Sequence, residues 1–113
     1  MRNLCVTFIL ALSLTSPAWA AEPFDGKWSG DSPPAAGCSS GARVIFEVRN
    51  GEIAGSATSG TLTVPIGGHV APDGTASITS SIGGFPAKFS GNSFEWNYTF
   101  RGCDRHYKGS RSS

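Results

Sequence analysis

Long apolar runs are almost missing from this 113-residue chain. The one present, Leu4 to Leu14, falls short of the roughly 20 residues a spanning helix needs. Charge is scarce and balanced, with Lys+Arg 9 against Asp+Glu 8. That balance excludes a polycationic nucleic-acid binder and an acidic disordered tail. The only two histidines, His69 and His106, are far apart and lack the repeated Asp, Glu or Cys spacing of a metal site. No G-x-G-x-x-G, P-loop or G-x-S-x-G stretch occurs, so the sequence calls for no cofactor and assigns no catalytic residue. Three cysteines are too few for a disulfide-dense scaffold. No window keeps a helical apolar stripe for three turns, because Gly and Pro interrupt each one. The length allows a single domain.

What is present begins with an export signal. Met1-Arg2-Asn3 is a short basic n-region, Leu4 to Leu14 an apolar h-region, and Ala18-Trp19-Ala20 a small-x-small cleavage pattern after Pro17. The reading is a signal peptide over 1–20 and one β domain over 21–113, secreted or periplasmic. Cys5 would leave with the leader, and so would Arg2, its only charge. Cys38 and Cys103 remain, an even pair in an oxidising compartment, and are predicted to form a disulfide. No C-x-x-C spacing supports a redox-active pair instead.

The rest reads as short strands between turns. Arg43 to Arg49 alternates, with Val44, Phe46 and Val48 on one face. Asn50-Gly51 is a hairpin turn, both positions needing positive φ, and Glu52 to Thr58 returns. Thr61 to Ile66 follows, with Pro65 expected at an edge or bulge because it has no ladder donor. After Gly67-Gly68 comes a separate short run, His69 to Ala71. Pro72-Asp73-Gly74 turns into Thr75–Ser80, then Phe85–Phe89 follows. Ser93 to Arg101 is the clearest strand, with every even position aromatic. A last strand is placed at His106–Arg111, and Gly26–Gly30 opens the domain. The expectation is all-β: a small antiparallel meander of about eight short strands. The predicted disulfide draws the chain ends together, as a closed barrel or a curled sheet stapled across its ends.

Phe24-Asp25-Gly26-Lys27-Trp28 resembles the G-x-W opening of calycin barrels, the group of lipocalins, avidins and small bacterial protease inhibitors. The resemblance rests on Gly26 and Trp28. It implies a small barrel in which the Trp closes one end under a basic residue from a late strand, with Arg101, Arg105 or Arg111 available. The same opening is similar to that of small exported bacterial proteins of unknown function, which implies no mechanism.

Two groups carry the chemistry. Phe94, Trp96, Tyr98 and Phe100 form the core face of a half-buried strand, and Trp96 and Tyr98 also suit ligand stacking at a barrel mouth. The stretch from Arg101 to Arg111 is locally basic. It fits either a solvated edge strand or a site for an anionic partner. The candidate ligand-binding residues are therefore Trp28, Trp96, Tyr98, Arg101 and Arg105. The leading expectation is a non-enzymatic, monomeric binding or inhibitor-like domain meeting an envelope or extracellular glycan or protein. It involves no metal and no nucleic acid, and no membrane span after cleavage. The alternatives are a small hydrolase using His69 or His106 with a carboxylate, Glu47 and Glu95 being one candidate carboxylate pair, or a structural envelope protein.

Overall fold

The computed structural model describes residues 23–35, 37, 38, 40–100 and 102–112. The expected leader with its cleavage point lies outside these residues, and so does Arg101. The described chain forms eight antiparallel strands: β1 (Gly26–Ser32), β2 (Ala42–Arg49), β3 (Glu52–Ser59), β4 (Leu62–Val70), β5 (Thr75–Ser80), β6 (Gly83–Ser90), β7 (Ser93–Phe100) and β8 (Cys103–Arg111). Each pairs with the next, and β1 pairs with β8 from Trp28↔Arg111 to Asp31↔Lys108, so the meander closes into a barrel. Closure removes the two free edges that would otherwise template aggregation.

The turn chemistry explains the register. Asn50 and Gly51 have φ of 52° and 80°, the conformation a two-residue hairpin with matching twist requires. The Asp25 carboxylate accepts from both of their amides, at 2.9 and 3.2 Å. At the next hairpin on this end, the Asp73 carboxylate accepts from the amide and hydroxyl of Thr75.

Several strand boundaries differ from the sequence reading; β6, for one, begins at Gly83, two residues before Phe85. The run His69–Ala71 is not separate, because β4 passes straight through Gly67-Gly68. Gly68 has φ 144°, and a Cβ there would lie 2.1 Å from the Ser77 carbonyl oxygen. The glycine marks a close crossing with β5 rather than a turn. β8 starts at Cys103, three residues before the expected start, so the cysteine itself is in the wall. β1 extends to Ser32 and the aromatic strand stops at Phe100. Pro65 sits inside a closed sheet, yet the β4–β5 ladder begins only at Gly67↔Thr79. Pro65 thus pairs with Ser56 on one side and has no ladder partner on the other.

Aromatic side chains plug one end. Trp28 stacks on Phe46 at 6.4 Å and meets the rings of Phe89 and Phe94 edge-on at 4.9 and 5.9 Å. Such arrangements suit ring quadrupoles. The Trp28 indole N–H donates to the Phe24 carbonyl, and the Arg111 guanidinium lies 5.0 Å above the Trp28 ring. Arg111 also donates to the carbonyls of Pro23 and Asp25 and to Asn92 Oδ1. It ties the entering chain, the β6–β7 turn and the last strand together. Room for Phe94 comes from the closing seam itself. A Cβ on Gly30 or Gly109 would lie 2.8 or 2.6 Å from that ring.

Most outward positions are polar, such as Lys27, Ser29 and Asp31 on β1 and Glu95 and Asn97 on β7, with Ile45 an exposed exception. Among the described residues, no helix is long and apolar enough to cross a membrane.

Candidate functional site

The end opposite the aromatic plug is not filled. Along β3, the positions on the Ile53 face read Ile53, Gly55, Ala57 and Ser59, so only small residues follow Ile53 toward the mouth. Across from them β7 and β8 carry large side chains. Period-2 alternation sends Phe94, Trp96 and Tyr98 inward from β7, and Arg105 and Tyr107 inward from β8. Trp96 is opposite Tyr107 and Tyr98 opposite Arg105 in the ladder. Small residues facing large ones leave a cavity of about 390 Å³, within the usual range for small-molecule sites. Ala57, Val64 and Ile66 form its aliphatic side, and Trp96, Tyr98 and Tyr107 its aromatic side. Leu62, 64% exposed, stands at the rim.

The aromatic side is pre-packed. Trp96 and Tyr107 stack at 4.9 Å, and Tyr98 meets Trp96 edge-on at 5.4 Å. Tyr98 also touches Phe85 at 5.1 Å. Burial pushes the Tyr107 phenol above its ordinary pKa, while nearby Arg105 pulls the other way. The phenol therefore keeps its proton at neutral pH. The Trp96 indole N–H is buried with no hydrogen-bond partner among the described residues. Buried Trp usually finds one, and an unmatched donor costs about 1–3 kcal/mol.

A disulfide and a hydrogen-bond cluster hold the rim. Cys38 and Cys103 are bonded, with Cα atoms 4.7 Å apart, and both line the cavity. Arg105 donates to the Ser40 carbonyl at 2.7 Å and to Ser59 Oγ at 3.1 Å. Ser59 Oγ in turn donates to the Gly41 carbonyl, which leaves Ser40 Oγ to donate to Ser59 at 2.9 Å. The loop between β1 and β2 is thus tied to β3 and β8 at the mouth. A disulfide of this kind persists in an oxidising compartment.

Of the residues singled out in the sequence, Trp96, Tyr98 and Arg105 come together at this cavity. Trp28 is at the other end, enclosed by Phe46, Phe89 and Phe94. The stretch from Cys103 to Arg111 is not one basic patch. Arg105, Tyr107 and Arg111 face inward, and Asp104, His106 and Lys108 face solvent. It is also not an edge, because β8 pairs on both sides. Sequence reasoning missed Tyr107 and the β3–β4 wall. Cutting β8 short hid the alternation that places Tyr107 beside Trp96.

Both histidines pair with carboxylates on the outer wall. His69 lies 3.4 Å from Glu52, and His106 lies 3.4 Å from Glu95 and also contacts Asn97. All four side chains are well exposed. Glu47 bonds Arg49 and stands on β2, which does not adjoin the β7 that carries Glu95. Among the described residues, no three His, Cys, Asp or Glu side chains converge as metal ligands would. No family model, curated protein or solved structure matches the chain.

Proposed function

We propose that this is an exported, non-enzymatic binding domain whose ligand sits in the mouth cavity. The supporting observation is the asymmetry of the barrel. One end is packed solid with aromatic rings, while the other keeps a cavity of about 390 Å³ beneath a covalently tied rim. A preformed concavity with apolar walls and few polar groups is the usual form of a small-molecule site. The disulfide and the expected leader fit a secreted or periplasmic location. Glycans and small hydrophobic compounds are the ligand classes to screen first.

The hydrolase reading would place its chemistry at His69–Glu52 or His106–Glu95. Those pairs stand in solvent on the convex wall, away from the cavity, with no walls around them to exclude water.

The test fills the cavity without touching its rings. Ala57→Leu should abolish binding of any compound that changes Trp96 fluorescence in the unmodified protein, while leaving the fold intact. Undiminished binding in folded Ala57→Leu would place the site elsewhere.

A further inference from the structure

Among the described residues lining the cavity, Arg105 is the one that carries a charge, and no carboxylate faces it. It takes part in none of the ion pairs among those residues. Its bonds to Ser40 and Ser59 use two of the five N–H groups of a guanidinium. Half-buried at the rim, it is a cation beside apolar walls with hydrogen-bonding capacity left over.

Ladder positions set the depth. Cys103 marks the outermost step of the cavity wall, Arg105 and Tyr98 lie one inward step below it, and Tyr107 and Trp96 one step below them. Two residues of strand span about 7 Å. Beneath that layer, Phe46, Phe89, Phe94 and Trp28 fill the barrel. The distance from Arg105 to the floor is therefore close to the length of one aromatic ring, too short for an extended lipid chain whose head group sits on Arg105. The walls are flat rings on one side and small aliphatics on the other, which suits a slab-shaped guest.

We propose that the ligand is a compact aromatic acid, bound ring-first against Trp96 and Tyr107 with its carboxylate on Arg105. This rests on the cavity being the binding site. A planar carboxylate matches the guanidinium fork, and charge-assisted bonds of this kind are stronger than neutral ones. A ligand cation would instead meet an unpaired positive charge at the rim.

Calorimetric titration with 3-phenylpropionate, its neutral amide and the corresponding amine separates these contributions. The acid should bind about tenfold to a hundredfold tighter than the amide, and the amine weaker than both. Added salt should weaken the acid and leave the amide unchanged. Arg105→Gln should bring the acid down to the level of the amide. Should that variant not fold, the acid–amide comparison and its salt dependence decide on the unmodified protein. Equal binding of acid and amide overturns the anion assignment but leaves the cavity as the site. If none of the three binds, the aromatic-acid proposal fails. If the glycan and hydrophobe screen is silent as well, the binding reading fails with it.

Discussion

Two tryptophans lie inside this barrel under opposite conditions. Trp28 has its N–H bonded to Phe24 and its face covered by Arg111. The Trp96 N–H has no partner among the described residues. Replacing each by Phe keeps most of the ring and isolates the difference. Trp28→Phe should destabilise more than Trp96→Phe, by about 1–2 kcal/mol in denaturant unfolding, since it alone breaks a satisfied hydrogen bond and a cation–π contact. Arg111→Met should cost a comparable amount, because the guanidinium bonds groups from three parts of the chain. Tyr107 provides a pH test. Its pKa is raised by burial from the model-compound value of 10.0. The folded state therefore holds the phenolic proton more tightly than the unfolded state. That stabilising contribution is intact below about pH 10 and is lost as pH rises through the folded value. Ultraviolet titration of the phenolate should show a late component, which Tyr107→Phe removes. Asp73 works in the other direction. Its carboxylate is held below the usual range by its hydrogen bonds to Thr75, so its contribution is present above the unfolded value and fades as acid protonates it.

At the scale of elements, the wall is not uniformly knitted. β5 and β6 pair with each other along the hairpin, from Thr75↔Lys88 to Ser80↔Gly83. Their links to neighbours cover only part of that length. β4 meets β5 from Gly67↔Thr79 to Val70↔Ala76, and β6 meets β7 from Ala87↔Trp96 to Ser90↔Ser93. The mouth-facing tip of this hairpin therefore has partners only within itself. Amide exchange at Ile82, Gly84 and Phe85 should run at least about a hundredfold faster than at Val44 or Phe46 in β2, which pairs on both sides from Arg43 to Val48. Gly68→Ala should unsettle the β4–β5 crossing, since its φ is positive and its Cβ would collide with the Ser77 carbonyl. A loss of about 2–4 kcal/mol is expected. Element order was legible in the sequence because each strand alternates and each turn has its own signal. β4 was misread because Gly67-Gly68 looks like a turn when the strand is read alone. The cavity was not legible for a related reason. Trp96 and Tyr98 announce themselves, but empty space depends on what stands opposite. That Ala57 lines the same cavity as those rings appears only once the sheet has closed.

At the scale of the molecule, closure has two independent supports. The β1–β8 ladder joins the first and last strands by hydrogen bonds, and Cys38–Cys103 links chain segments 65 residues apart. Chain-entropy reasoning gives such a cross-link about 4 kcal/mol, a large share for a domain of this size. Reduction, or Cys38→Ser with Cys103→Ser, should lower the thermal midpoint by more than about 15 °C. The far-ultraviolet β signature should persist below that midpoint, because the ladder does not depend on sulfur. A midpoint unchanged by reduction would show that the covalent tie adds nothing to closure.

The meeting of the first and last strands also makes the starting point of the chain a matter of choice. Arg111 touches the Pro23 carbonyl and the Ser112 amide donates to Lys27. A few linking residues would splice these ends, and a new start cut at Ser81-Ile82 would yield a circular permutant with the same eight staves. Its added termini would emerge beside the mouth, where a fluorophore or a surface tether could be mounted within reach of any guest.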